Sequence, residues 1–178
     1  AFSAAFALSH QKAADDPLAY YETARTIAEE GRLEVYVKSV HNPDTIPPYP
    51  IEERLLYPLI LAVPMKLFGA SVGLSNLISA VFRALLVLPL FGLALSLFGL
   101  RNAVVAGVLY VVNPFYTMLG MVIMPDLPFA FFFFGAVWLI LLSARREGAV
   151  LAAAGGVLAA LAYSTRLEGA LLWLFGAG

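Results

Sequence analysis

Residues 55–69 read Leu55-Leu56-Tyr57-Pro58-Leu59-Ile60-Leu61-Ala62-Val63-Pro64-Met65-Lys66-Leu67-Phe68-Gly69, and whether this stretch crosses a membrane or lies along it decides the arrangement of all that follows. As a helix it reaches roughly 22 Å, short of a hydrocarbon core about 30 Å thick. Pro58 and Pro64 interrupt its hydrogen bonding, and Lys66 near one end is placed to snorkel to a headgroup. The stretch reads as an interfacial, juxtamembrane helix. After it come four longer apolar blocks. Blocks 75–98 and 102–123 reach roughly 33–36 Å, while 127–143 and 149–164 reach about 24–26 Å before flanking residues are added. These four are expected to span, with a further helix starting at 169.

Composition agrees with this reading. The chain has 178 residues, of which 61% are hydrophobic and only 13% charged, with mean hydropathy +0.85. An ordinary soluble domain carries about twice that share of charge, roughly 25%. A water-soluble fold fits this composition poorly. The 11 Lys and Arg nearly balance the 12 Asp and Glu, so no basic surface advertises nucleic acid. The absence of Cys removes disulfides, thiolate zinc sites and cysteine nucleophiles.

Charge is unevenly distributed. Fourteen of the charged residues lie between 10 and 54, whereas 67–144 holds only Arg83, Arg101 and Asp126. Residues 10–74 therefore read as one polar loop carrying surface and juxtamembrane helices, preceded by residues 1–9 as the end of a truncated transmembrane helix. A chain that begins at Ala1 and stops inside the apolar run Leu171 to Phe175 is expected to be part of a longer protein. If 10–74 stays on one side, span 75–98 crosses, 102–123 returns Asp126 to the loop's side, 127–143 carries Arg145 and Arg146 across, and 149–164 brings Arg166 and Glu168 back. The excess of cationic residues on cytoplasmic loops assigns Arg101, Arg145 and Arg146 to the cytoplasm and the acid-rich loop to the outside. The expected fold is all-α: a polytopic, multi-pass bundle in the cell membrane, with residues 75–178 as the transmembrane part.

Several residues can carry chemistry. Asp15 and Asp16 precede a short amphipathic helix ending near Gly31, and an N-cap at Asp16 with Pro17 at the first helical position explains them without function. A rigidly held carboxylate beside a membrane is equally what a positioned base requires. Asp126 is the only carboxylate between Glu53 and Glu147; it is either an N-cap or a site, and its position at the boundary of two apolar blocks favours a site. Arg54, Lys66, Arg83 and Arg166 are candidate anion contacts. An ion pair with Glu168 is the plainer reading of Arg166. Arg83, nine residues into a span, needs a carboxylate, backbone carbonyls or a lipid phosphate. His10 and His41 lack ligand-like spacing, and no metal is assigned to them. Asn113-Pro114 is expected to kink its span.

The order Asp15-Asp16, Tyr20-Tyr21, Arg25, then Tyr57-Pro58-Leu59-Ile60, Leu67-Phe68-Gly69, Leu97-Phe98-Gly99, Asn113-Pro114, Met124-Pro125-Asp126 and Thr165-Arg166-Leu167-Glu168-Gly169 resembles membrane glycosyltransferases of the GT-C fold. It is similar in particular to the protein O-mannosyltransferase and aminoarabinose transferase superfamily. The resemblance implies a sugar donor linked to polyprenyl phosphate, a lipid, glycan or protein acceptor, and reaction at the extracytoplasmic face among membrane lipids. It puts the catalytic acid-base carboxylate on Asp16, with Asp15 beside it, and a second acid on Asp126. The charged residues before the juxtamembrane helix fall on Glu53 and Arg54, with Tyr57 following. A basic residue common after the Phe-Gly pair is Asn76 here, with Arg83 two turns further on.

The chemistry suits these residue types. Polyprenyl phosphate is already a good leaving group, so a base for the acceptor hydroxyl and cations for the departing phosphate suffice. The same carboxylates can instead hold a divalent cation, Mn or Mg, against the phosphate. A transporter or channel subunit would also use an intramembrane arginine and proline-broken helices, but it calls for charged groups converging at mid-bilayer. A purely structural subunit gives no reason for the clustered acids.

Overall fold

The computed structural model describes residues 17–35, 49–50 and 55–172. Asp15, Asp16, Glu53 and Arg54, the stub 1–9 and the stretch from 173 lie outside them. Two compact units are distinguished: residues 1–76 with 122–124, and residues 77–121 with 125–178.

In the first unit, helix α1 covers 17–30. Pro17 opens it, where a missing N–H costs nothing. Gly31 closes it with φ +68°, its N–H donating to the Ile27 carbonyl at 3.2 Å. Glu34–Val35 (β1) pairs antiparallel with Tyr49–Pro50 (β2). Helix α2, Leu56–Phe68, holds Pro58 in its first turn and Pro64 inside. Tyr57, Pro58, Leu61, Ala62 and Met65 recur on one face and are buried, while Leu59, Val63, Leu67 and Phe68 on the other are exposed. The Tyr57 ring meets Tyr20 of α1 edge to face at 5.3 Å.

The second unit is built on helix α3, Val72–Phe98, which enters it at Leu77. Ser71 caps α3, its Oγ accepting from the Leu74 N–H at 3.1 Å. Gly99, φ +80°, reverses the chain into α4, Leu100–Val112. Block 102–123, expected as one kinked span, is not one helix: α4 stops at Val112 and a short α5 runs over Pro114–Leu119. The physical reason is local. Asn113 is extended, Pro114 has no N–H, and the Asn113 Oδ1 accepts the Phe115 N–H at 2.9 Å to start a new helix. The rings of Tyr110 and Tyr116 then come within 4.8 Å, so α5 turns back over the end of α4.

Helix α6, Asp126–Arg146, and helix α7, Ala149–Thr165, form a hairpin. Their backbones approach closely because Gly135 leaves room for Leu158 and Gly155 leaves room for Ile140. Helix α6 runs parallel to α3. Phe82 packs on Phe131 and Phe132 at 5.8 Å each, Gly92 lies under the Trp138 indole, the Trp138 Nε1–H donates to the Ser96 Oγ at 3.2 Å, and Arg145 donates to the Ser96 carbonyl. Helix α4 is antiparallel to α3, with Tyr110 near Arg83 and Gly107 near Phe91.

Helices α3 and α6 are long and apolar enough to cross a membrane. Most of their apolar surface is exposed, including Leu77, Val81, Leu85 and Leu88 along α3, an arrangement that water would not tolerate. The chain is an all-α membrane protein. The shorter helices α2, α4 and α7 are apolar as well.

Candidate functional site

Parallel α3 and α6 sort the charges of the second unit to two ends. Arg145, bonded beside the end of α3, gathers with Arg146 and Arg101 at one end. At the other, roughly 30 Å away along α6, stand Asp126, Arg166 and Glu168.

Asp126 is the first residue of α6, and the capping position is taken by Pro125, which makes no side-chain cap bond. The N-cap reading of Asp126 therefore does not describe it. Its negative charge still suits the positive end of a helix dipole. Leu127 beside it is buried against Leu86 and Tyr110, which fixes the start of the helix. The Asp126 Oδ1 accepts from the Arg166 Nη1 at 2.6 Å.

Arg166 reaches this point because α7 ends abruptly. The Thr165 hydroxyl is buried and donates to the Leu161 carbonyl at 2.7 Å. Arg166 is extended, φ −148° and ψ 146°, and a 3-10 turn over Leu167–Ala170 folds back along α7. Only glycine fits at 169, where a Cβ would sit 2.5 Å from the Tyr163 Cα. The turn returns Glu168 to Arg166, its carboxylate accepting from Nη2 at 3.1 Å and from Nε at 3.4 Å. One guanidinium thus serves two carboxylates from opposite sides. All three side chains keep a third or more of their surface exposed among the described residues. The hydrogen bond from Arg166, with a backbone bond, holds the Glu168 carboxyl below its usual value.

Arg83 lies deeper. Its Nη2 donates to the Val111 carbonyl at 3.1 Å and to the Thr117 Oγ1 at 2.8 Å, and its own carbonyl accepts from the Tyr110 hydroxyl at 2.7 Å. Of the partners open to an intramembrane arginine, it has taken a backbone carbonyl and a hydroxyl. Val111 is in the last turn of α4, where the Pro114 break leaves carbonyls without helical donors and a cation is favoured.

In the first unit, Tyr57 is fully buried and Lys66 is exposed in the last turn of α2. Among the described residues, no three His, Cys, Asp or Glu side chains come together. Asp126 and Glu168 already share Arg166, so this pair is a poor fit to Mn or Mg, which would have to displace the guanidinium. Sequence reading did not find Thr117 and Tyr110, whose partners are 34 and 27 residues away, nor Arg145 as a cap for α3. Asn113-Pro114 was the one available signal.

The sequence profile of a family described as dolichyl-phosphate-mannose-protein mannosyltransferase matches residues 50–176. The matched stretch takes in Tyr57, Lys66, Arg83, Asp126, Arg166 and Glu168; Asp15 and Asp16 precede it. No curated protein and no solved structure matches the chain.

Proposed function

The chain belongs to the dolichyl-phosphate-mannose-protein mannosyltransferase family, glycosyltransferases of the GT-C type, and on that premise we propose that it moves a sugar from a polyprenyl-phosphate carrier to a lipid, glycan or protein acceptor at the extracytoplasmic face of a multi-pass membrane protein. The observation that carries this reading is the guanidinium of Arg166 held between Asp126 and Glu168, at the end of the bundle opposite Arg101, Arg145 and Arg146. Cationic ends face the cytoplasm, which supports the outer side for the acids.

The acceptor oxygen attacks the anomeric carbon, the bond from that carbon to the phosphate oxygen breaks, and its electron pair leaves with the polyprenyl phosphate. The acceptor proton passes to a carboxylate, the role proposed for Asp16, with Asp15 beside it. Attack opposite the leaving group inverts the anomeric centre. Arg166 is the cation on which charge building on the phosphate settles, and Glu168 and Asp126 hold it for that purpose before substrate arrives, so little reorganisation is needed. Glu53, Arg54 and Lys66 are proposed to bind the donor from the loop and juxtamembrane helix, whereas Tyr57, buried on one face of that helix, is left to packing.

The test uses membranes containing the full-length protein and a polyprenyl-phosphate sugar. Asp16→Asn and Asp126→Asn are each expected to abolish transfer while membrane abundance is unchanged. Undiminished turnover in both overturns the reading.

A further inference from the structure

Resting on that reading and deepening it, we propose that Arg83 is a positioning residue for Asp126, acting through the broken helix α4–α5, and is not a ligand of the donor phosphate. Arg83 sits within the apolar length of α3, half-buried. A cation there is costly unless it is fully employed. It is employed on the break: its Nη2 closes the Val111 carbonyl, whose helical donor, the Phe115 N–H, is taken by the Asn113 Oδ1, and it donates to the Thr117 hydroxyl, which itself donates to the Asn113 carbonyl at 3.2 Å. Its stem runs so close to Gly120 that a Cβ there would lie 2.8 Å from the Arg83 Cδ. The end of α4, Thr117 within α5 and Gly120 just after it therefore all lie against one side chain.

The effect reaches Asp126 by two routes. Along the chain, Gly120 is six residues before Asp126. Through space, Tyr110, whose hydroxyl is bonded to the Arg83 carbonyl, forms a buried cluster with Leu86 and Leu127, and Tyr116 and Leu119 of α5 pack against it. Leu127 is the immediate neighbour of Asp126. Releasing α5 removes the packing that sets the first turn of α6, and hence the direction in which the Asp126 carboxylate meets Arg166. The Arg83 Nε is buried, with no hydrogen-bond partner among the described residues, and its Nη2 is already engaged on α4 and α5.

The experiment is a double-mutant cycle in full-length protein with Arg83→Gln and Thr117→Val. For Arg83→Gln, kcat is expected to fall roughly 10- to 100-fold, the range in which misplacements of about 1 Å operate, while KM for the polyprenyl-phosphate sugar stays within about twofold. Arg83→Lys keeps one donor and is expected to recover part of kcat. Thr117→Val added to Arg83→Gln is expected to cost little more, because the two act as one unit. A KM increase with kcat preserved, or additive losses, overturns the proposal. A second measurement needs no activity: a cysteine at Met121, exposed in the turn after α5 and introduced into a chain without Cys, is labelled by a thiol reagent. Arg83→Gln is expected to speed labelling severalfold. Unchanged labelling overturns the positioning role even if the transferase reading holds, and faster labelling in a protein without transferase activity separates failure of that reading from failure of this one.

Discussion

Replacing Gly169 by alanine is the sharpest perturbation of the site, because it adds one methyl group and changes no charge. A Cβ at 169 would sit 2.5 Å from the Tyr163 Cα and 2.6 Å from the Ala162 carbonyl carbon. Carbon atoms prefer about 3.5 Å, so the 3-10 turn must retreat about 1 Å from α7. Both neighbours are helix backbone and cannot step aside. The Arg166 to Asp126 contact of 2.6 Å then opens beyond hydrogen-bond reach. Overpacking of this kind costs about 1–3 kcal/mol, and a displacement of about 1 Å at a reacting site costs about 100-fold in rate. The control is Gly156→Ala within α7, where nothing lies within 4 Å of the new Cβ and a helical alanine gains about 0.5–1 kcal/mol. The assay is turnover per molecule in membranes, paired with thermal unfolding in detergent. If Gly169→Ala matches Gly156→Ala in both, the account of how Arg166 is aimed is wrong.

Arg166→Lys keeps the charge but loses the planar fork that bonds Asp126 and Glu168 together, so kcat is expected to fall about 100-fold, measured in initial-rate assays. Glu168 has a lowered carboxyl pKa, so its pair with Arg166 contributes above the ordinary carboxylate range and is lost as acid takes the pH down through the folded-state value. Melting temperatures of wild type and Glu168→Gln should therefore converge as pH falls from 7, and a constant gap contradicts the pairing. Asn113→Ala removes the cap on α5 and is expected to cost about 1 kcal/mol in thermal unfolding. Single cysteines at 101 and 146 should label from one side of sealed vesicles and one at 168 from the other; labelling of all three from the same side rules out the proposed sidedness.

Much of the fold follows from apolar runs and punctuation. The runs 75–98, 127–143 and 149–164 fall on helices Val72–Phe98, Asp126–Arg146 and Ala149–Thr165, because their polar residues are few and serines such as Ser96 and Ser164 bond back to helix carbonyls four residues earlier. Hydropathy cannot register the division of 102–123, since both sides of Asn113 are equally apolar; only the Asn-Pro step records it. The site was partly legible. Arg166 with Glu168 is a matter of two residues' separation, but Arg166 with Asp126 spans 40 residues and depends on the register of the α6–α7 hairpin, which Gly135 and Gly155 set by contact and not by any local pattern. Arg83 was visible as an anomaly, and its partner was not, because carbonyls carry no sequence signature.

Helix α4 has 13 residues, roughly 20 Å of length beside a hydrocarbon core about 30 Å thick. Lipid on that flank meets a hydrophobic wall too low for its tails, and the bilayer compresses to match. On the transferase reading proposed above, a carrier drifting past would have its headgroup drawn toward the mid-plane before any side chain touched it, and acyl-chain length would become a variable of the transfer rate.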